Sequence, residues 1–393
     1  MTPLMLLPVQ KKWWRSVMTA LLSMTFIVLG TVSATASPTA QVIANIDYPI
    51  GIVQDSSGNI FIADNNRGEL AVVPTSTGTL FGVQVVAGQK SVLSSVAGIY
   101  GLAIDTLSGS LVMTAQAGAL KALSPTSVTV FGVAVPANTL TTVTSSFVDR
   151  GIDFDSAGNL YGASSSGLFV LPVVTGTLHG QLVTANTPVA VSAGSAFTSD
   201  FLADVALDTN DALYLSVMFG ATGVYAMPVT TRTIFGVLAP ADTFTRVVAG
   251  ADVQNPCGID LDDHGVLYIG SWGSGNVNVS SNSSVTLFEQ PIPANVSTQL
   301  TSLNGFGNQG VSVNIDSSRV ISGANPNTYA LVGTSPYVVP TPTPTPTGSA
   351  VVPNQLVATG STSSLPALLG IIMLTAGLSF LGIRKFQHRD MKR

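Results

Sequence analysis

Short runs of alternating apolar and polar residues recur along most of the chain, separated by clusters of glycine, proline, asparagine and aspartate. The phrase VQDSSGNIFIADN, which begins at Val53, returns as DFDSAGNLYGASS one hundred residues later. The aspartates of successive copies lie 50, 50, 53, 54 and 54 residues apart, at Asp55, Asp105, Asp155, Asp208, Asp262 and Asp316. Alternation with a period of two predicts β-strands, and nothing in the repeats shows a sustained helical period.

Each copy of the phrase predicts a β-hairpin. A short apolar strand precedes the aspartate and is usually opened by a glycine, as at Gly51 and Gly101. A second strand follows the turn, as in NIFIA and NLYGA. The aspartate can accept backbone N–H groups within the turn, and the glycine of Asp-x-x-Gly can adopt a positive φ.

A second phrase recurs further along each repeat. It reads PTSTGTLFG up to Gly82, PTSVTVFG up to Gly132, and PVTTRTIFG up to Gly236. A turn resembling Ala-Asn-Thr often follows. We interpret this part of each repeat as a third and a fourth strand joined by a longer loop.

Four strands in each unit of about 50 residues is the period of a propeller blade, and six units predict six blades. The sixth unit lacks a fourth strand. The segment Gln41–Ile46 lies just before the first blade, and we expect it to pair near Thr328–Val332 and close the ring. The predicted fold is therefore an all-β, six-bladed β-propeller over residues 37–336, most simply a monomer.

The hairpin phrase resembles the NHL repeat and the related SMP-30/gluconolactonase propellers. The likeness is carried by YPIGIVQDSSGNIFIADN (Tyr48–Asn65) and NPCGIDLDDHGVLYIGSWGSGNV (Asn255–Val277), and it extends over residues 41–333 at the level of the repeat. Propellers of this kind host many activities, so the resemblance indicates the fold more strongly than the function.

The SMP-30 resemblance implies a divalent cation at the channel mouth, held by Glu, Asp and Asn side chains. The residues five positions before the first five turn aspartates are Ile50, Tyr100, Arg150, Ala203 and Cys257. None is a carboxylate or an asparagine, and Arg150 would repel a cation. We therefore expect no metal, no cofactor and no catalytic set. The Asp-x-x-Gly turns suggest calcium as an alternative, but one carboxylate per turn is too few ligands.

A few charged side chains are candidates for a ligand site at the channel mouth. They are Asp149, Arg150, Asp200 and Asp204, joined by Trp272 as a possible aromatic platform for carbohydrate. The alternative is structural: Asp149, Arg150 and Asp204 form an ion pair and cap loops, while Trp272 packs in the core. Cys257 is the only cysteine and is expected to be a small buried hydrophobe.

Composition excludes several classes of protein. Charged residues make up only 9% of the chain and the net charge is −5, so no basic patch is available for nucleic acid. A single cysteine excludes an internal disulfide, and three scattered histidines do not suggest a histidine-rich metal centre.

Both ends of the chain are typical of an exported, tethered protein. Residues 1–36 have the pattern of a signal peptide: basic residues, an uncharged run and small residues at Ala34 and Ala36. An uncleaved anchor is the alternative. Residues 365–383 are apolar and long enough to span a bilayer, and residues 384–393 form a basic tail expected to be cytoplasmic.

Residues 337–364 form a stalk rich in proline and threonine, for which PTPTPTPTG predicts extended polyproline II structure. The stalk contains LVATG, which resembles the Leu-Pro-x-Thr-Gly sorting signal of sortase substrates. Leu356, Thr359 and Gly360 match that signal, and Val357 stands where the family has proline. The resemblance implies attachment to a cell wall, and a plain membrane anchor is the alternative.

Two functional interpretations follow from the sequence. The first is a non-catalytic binding or scaffold module on the cell surface, which recognises a protein or glycan. The second is an SMP-30/lactonase-like, metal-dependent hydrolase that uses Asp149, Asp200 and Asp204. The sequence favours the first because it shows no catalytic set.

Overall fold

The computed structural model describes residues 40–332, except 166, 192–196, 198–199, 250–252, 273, 304–305 and 314–318. These residues form a six-bladed β-propeller, as predicted, with six four-stranded antiparallel sheets. A single turn of 3₁₀ helix at Gln116–Gly118 interrupts the strands. Within the described part of the chain, no helix has the length and apolar character needed to cross a bilayer.

The strands of each blade follow one another from the channel outward, and the sixth blade takes its outer strand from the start of the described chain. Blade 1 contains Pro49–Gln54, Ile60–Asp64, Glu69–Val73 and Ser91–Ser95. Blade 2 contains Leu102–Asp105, Ser110–Ala115, Ala119–Leu123 and Thr141–Thr144. Blade 3 contains Ile152–Phe154, Leu160–Ser164, Gly167–Leu171 and Val189–Ala190. Blade 4 contains Phe201–Leu207, Leu213–Phe219, Gly223–Met227 and Thr245–Val248. Blade 5 contains Pro256–Leu261, Leu267–Ser271, Asn276–Ser280 and Thr298–Ser302. Blade 6 contains Phe306–Val313, Arg319–Asn325, Asn327–Val332 and Ala40–Asn45.

The first strands of the six blades contact one another in a closed ring around the channel. The glycines that open these strands allow the close approach. A Cβ atom added to Gly51 would lie within 3.0 Å of the backbone oxygen of Tyr100, and one added to Gly101 would lie equally near that of Arg150. The repeated glycine is therefore a packing requirement between neighbouring blades.

The predicted closure of the ring is confirmed. The strand Ala40–Asn45 pairs antiparallel with Asn327–Val332, and Gln41 lies opposite Ala330. Just beyond this strand, Asp47 forms a salt bridge with Arg67 of blade 1 at 2.8 Å. The pairing of Ala40–Asn45 with Asn327–Val332 hydrogen-bonds the strand edge that blade 6 would otherwise expose.

The interpretation of the second phrase as the third and fourth strands is wrong. It forms a separate two-stranded hairpin between those strands, as in Gly78–Leu80 with Val83–Val85. Phe81 and Gly82 both have positive φ, 48° and 79°, which is typical of a tight type I′ turn. The phrase therefore folds back on itself. The other four hairpins are Val128–Val130 with Val133–Val135, Gly176–Leu178 with Gln181–Val183, Arg232–Ile234 with Val237–Ala239, and Val285–Leu287 with Gln290–Ile292.

The predicted role of the turn aspartates is confirmed in the first five blades. In blade 1 the Oδ1 atom of Asp55 accepts the backbone N–H groups of Ser57 and Asn59, at 2.9 and 2.8 Å. Blades 3, 4 and 5 repeat this pair of bonds, and blade 2 keeps the first of them. Asp316 lies outside the described residues.

Several predictions concern parts of the chain outside the described residues. These are the signal peptide at 1–36, the stalk at 337–364 with Leu356, Thr359 and Gly360, the membrane span at 365–383 and the tail at 384–393. They remain predictions, as do the exact limits of the propeller at 37 and 336.

Candidate ligand site at the channel mouth

Arg150 lies at the mouth of the channel, just before the inner strand of blade 3. Its guanidinium carbon is 4.8 Å from the ring centre of Tyr100 and 4.3 Å from that of Phe201. These two rings belong to the neighbouring blades, 2 and 4. The guanidinium is therefore held by cation–π contacts on both sides of its own blade.

Aromatic side chains continue from Arg150 across blades 4 and 5. Phe201 contacts Phe219 edge to face, with ring centres 5.7 Å apart, and Phe219 contacts Trp272 at 6.3 Å. Trp272 is half-buried and packs against a small cluster that includes Cys257. We call Tyr100, Arg150, Phe201, Phe219 and Trp272 the aromatic–arginine site.

Below this mouth, three aspartates line the channel: Asp153, Asp204 and Asp260. Each carboxylate joins its blade to the next, because one oxygen accepts a backbone N–H from the neighbouring inner strand. The donors are Leu207, Ile259 and Val313, at 2.8, 3.0 and 2.8 Å. The other oxygen of each carboxylate accepts the N–H of the following residue.

Burial makes these three carboxyl groups harder to ionise, since the charged form loses hydration. It raises the pKa of Asp153 to about 7 and that of Asp260 to about 7, while the backbone hydrogen bonds act in the opposite direction. Burial raises the pKa of Asp204 well above its usual value, and the nearby Asp260 and Asp153 add to the shift. The channel cavity they line is narrow, with a volume of roughly 60 Å³.

Asp204 is nearer the mouth than the other two carboxylates. In blade 4, Asp204 takes the place of the glycine that opens the inner strand of other blades. Asp153 and Asp260 lie two residues after that glycine in their own blades. Gly151 leaves the space that Asp204 needs, because an added Cβ there would overlap the Asp204 carboxylate. The charges of Asp204 and Arg150 both act on the pKa values of Tyr100 and Cys257, so these groups share one region.

The prediction that Cys257 is a buried hydrophobe is confirmed. Its side chain is 3% exposed and is not part of a disulfide. Burial, with a further contribution from Asp204, raises the pKa of the Cys257 thiol to about 12. The thiolate that nucleophilic chemistry requires is therefore scarce at neutral pH.

The structure brings only some of the predicted site residues together. Arg150 and Trp272 are linked through the aromatic rings, and Asp204 lies below them. Asp200 instead caps a turn, where its Oδ1 accepts the N–H of Ala221 at 3.0 Å. Asp149 has a buried Oδ1 with no hydrogen-bond partner in the described part of the chain.

The alternative of a structural ion pair among Asp149, Arg150 and Asp204 is wrong for the described residues. No carboxylate oxygen there lies within salt-bridge distance of Arg150. The reason is geometric: both oxygens of Asp204 accept backbone N–H groups, and Arg150 is directed onto aromatic faces.

The residues do not fit the divalent cation that the SMP-30 resemblance implies. Hard cations need several converging oxygens. Among the described residues, no three histidine, cysteine, aspartate or glutamate side chains come close enough to hold a metal ion. The guanidinium of Arg150 also places positive charge at the mouth.

Sequence reasoning missed Asp153, Asp260, Phe201 and Phe219. The pattern Asp-x-Asp in IDFD and IDLD of blades 3 and 5 marks both channel aspartates and was available as a signal. The two phenylalanines carry no comparable mark, because an aromatic residue at a strand end is usually assigned to the core.

No family model matches the sequence, and no curated protein matches it. Among solved structures, the chain is similar to a gluconolactonase from Xanthomonas campestris at 12% identity, with 78% of this chain and 94% of that chain covered and a TM-score of 0.50. It is also similar to an aldose sugar dehydrogenase from Streptomyces coelicolor (11% identity, 75% and 99% covered, TM-score 0.48). A third is virginiamycin B lyase from Staphylococcus aureus (10% identity, 74% and 98% covered, TM-score 0.44).

Similar structures thus include gluconolactonase-like six-bladed propellers, in agreement with the resemblance seen in the sequence. At 12% identity this likeness shows the fold alone. The three similar proteins described above are named as enzymes.

Proposed function

We propose that this protein is a lactonase-like hydrolase that acts on a small polar compound at the channel mouth. The proposal rests mainly on one juxtaposition: Asp204, a carboxyl group with a raised pKa, lies in the same region as Arg150. A perturbed carboxyl in a cleft that also holds a cationic group is a common arrangement for acid–base chemistry. The gluconolactonase of the same fold makes lactones the first compounds to test.

Hydrolysis of a lactone needs a base for the attacking water and a positive group for the developing oxyanion. In this proposal the Asp204 carboxylate takes a proton from water as the water oxygen bonds to the carbonyl carbon. Arg150 donates hydrogen bonds to the carbonyl oxygen as it becomes negative. The ring C–O bond then breaks, the leaving oxygen takes the proton from Asp204, and a hydroxy acid results, whose new carboxyl group releases its proton to solvent to give the hydroxycarboxylate.

The test is turnover of a panel of aliphatic and sugar lactones by the full chain in detergent. We expect Asp204→Asn to lower kcat/KM by about 100-fold, in the range typical of a general base. Asp260→Asn is the matched control, because it alters the equivalent bond between blades two residues deeper in the channel. It should keep most of the activity. Equal losses in the two variants would show that Asp204 is only structural.

This mechanism uses no divalent cation, because among the described residues no three histidine, cysteine, aspartate or glutamate side chains come close enough to hold one. We expect turnover to survive EDTA, and calorimetry with Ca²⁺, Mg²⁺, Mn²⁺ and Zn²⁺ to show no tight site. A stoichiometric micromolar calcium site that Asp204→Ala abolishes would instead support the metal-dependent form of the hydrolase.

Non-catalytic recognition of a glycan or protein is the second candidate, and one observation favours it. Both oxygens of Asp204 already accept backbone N–H groups, which restricts their use as a base. A glycan array and a pull-down with the full chain test this candidate. Saturable binding together with no turnover across the lactone panel would make it the better description.

We further propose that the propeller is exported and held at the cell surface. The support is the order of LVATG, apolar span and basic tail in the sequence. If Thr359 is joined to the cell wall, Thr359→Ala should make the protein extractable by detergent alone. A wild-type protein that detergent already extracts completely is only membrane-anchored.

A further inference from the structure

Among the described residues, Arg150 has no acidic partner, whereas two other arginines do. Arg67 pairs with Asp47, and Arg232 pairs with Asp208. The Nε atom of Arg150 is buried without a hydrogen-bond partner in the described residues. A partly desolvated guanidinium with an unused donor is costly unless something else accepts its hydrogen bonds.

The chain also exposes an aromatic ring that is separated from this guanidinium by one other ring. Phe219 is 45% exposed and is the only aromatic among the exposed large hydrophobic side chains of the described residues. It lies between Phe201, which contacts Arg150, and the half-buried Trp272. An exposed apolar surface close to a cation that has no acidic partner among the described residues suits a ligand that has one charged end and one apolar face.

We infer that the aromatic–arginine site recognises an organic carboxylate, whose carboxyl group binds Arg150 and whose ring or apolar body lies against Phe219 and Trp272. Arginine suits this role because its planar fork can donate two parallel hydrogen bonds to a carboxylate. Tyr100 and Phe201 hold the guanidinium in place, so that little side-chain freedom is lost on binding.

This inference rests on the proposed function, since it names the compound class of the same site. A lactone opened there leaves a hydroxycarboxylate, so the class describes either the product or a substrate with a carboxyl group of its own. Binding is nevertheless measured without turnover. A protein that turns over lactones but ignores carboxylates refutes the inference alone, and one that binds carboxylates without turnover refutes only the hydrolase proposal.

Trp272 provides a direct readout. The other two tryptophans are Trp13 and Trp14, so the full chain carrying Trp13→Phe and Trp14→Phe has Trp272 as its sole tryptophan. In detergent, this protein would be titrated with phenylacetate, with its neutral analogue phenylacetamide, and with acetate, which lacks the ring. We expect a saturable change in Trp272 fluorescence with phenylacetate, and at least about 10-fold weaker binding of the other two.

Variants then assign the preference to the guanidinium. Arg150→Met should abolish the preference for phenylacetate over phenylacetamide, and Arg150→Lys should retain only part of it because a lysine cannot form the two-pronged contact. Arg246→Met is the matched control, since Arg246 lies on the outer strand of blade 4 and should leave the preference unchanged. Equal affinity for acid and amide in the unmodified site would overturn the inference, and that comparison does not depend on any variant folding.

Discussion

The two ends of the propeller differ in how strictly they keep the repeat. At the end that carries the hairpins, the same contact recurs from blade to blade: the turn glycines Gly82, Gly132 and Gly236 lie against an asparagine of a following blade. Blade 3 has His179 before its turn glycine, and His179 contacts Asp242 instead, at 3.0 Å. Blade 3 is therefore also linked to the following blade, through a different pair of side chains.

At the mouth, the residues at equivalent positions of successive blades differ in size, charge and polarity. Ile50, Tyr100, Arg150, Ala203 and Cys257 occupy the same place in five successive blades. Their side chains include an aliphatic, an aromatic and a cationic group. The contrast teaches that the repeating end preserves the architecture, and that the ligand site should be sought where the repeat varies.

The largest expected effect on stability comes from a substitution in the ring of inner strands, which runs between the two ends of the propeller. Gly51→Val should destabilise the protein by about 3 kcal/mol or more, because its Cβ would overlap the backbone oxygen of Tyr100 and backbone cannot move aside as a side chain can. Thermal unfolding followed by circular dichroism measures the change.

Gly78→Val is the matched control at the hairpin end. No atom lies within 4 Å of a Cβ added at Gly78, so this variant should melt close to the wild type. Similar losses in the two variants would mean that the inner ring is no more tightly constrained than the hairpins, and the comparison of the two ends would fail.

The repeat allowed the propeller fold to be predicted from the sequence. The role of the turn aspartates and the position of the closing strand could be predicted from the same repeat. The hairpins were not recognised because the phrase was interpreted as part of the third and fourth strands of each blade. The missed signal is physical: Gly82 directly after alternating residues permits a two-residue turn with both φ values positive.

The site was less accessible because it depends on contacts between blades. Arg150 and Trp272 are more than one hundred residues apart, and nothing in the sequence states that Phe201 and Phe219 connect them. Scarcity of charge singled out Arg150 as a candidate, which remains a prediction. The same argument singled out Asp200, whose Oδ1 accepts the N–H of Ala221, and a loop aspartate can cap a turn as easily as it can face a ligand.

A smaller effect should appear in the pH dependence of stability. The folded protein holds the protons of Asp153 and Asp260 up to a pH of about 7, whereas an ordinary aspartate releases its proton near 3.8. Between these values the folded state binds more protons than the unfolded state, so stability falls as the pH rises. Below pH 3.8 and well above pH 7, the folded and unfolded states bind the same number of protons at these groups, so this contribution to stability no longer varies with pH.

We therefore expect the melting temperature to be higher at pH 5 than at pH 8. Asp153→Asn should reduce that difference, because one of the three channel carboxyl groups with a raised pKa no longer titrates. A melting temperature that rises from pH 5 to pH 8 in the wild type, or a slope unchanged in Asp153→Asn, would contradict this explanation of the channel carboxylates.

The smallest expected effect concerns the turns, where the regular end should tolerate change one blade at a time. Asp55 accepts two backbone N–H groups and the side-chain N–H of Asn59, so Asp55→Ala should cost about 1–2 kcal/mol. Asp105 accepts one backbone N–H and the hydroxyl of Ser108, and Asp105→Ala should cost less.

Because these turns belong to separate hairpins and share no hydrogen bonds, the double variant should show the sum of the two losses within about 0.5 kcal/mol. Chemical denaturation of the three variants measures this, and binding of phenylacetate should stay unchanged in all of them. A loss in the double variant well beyond the sum, or weaker binding at the distant mouth, would show that the two ends are energetically coupled.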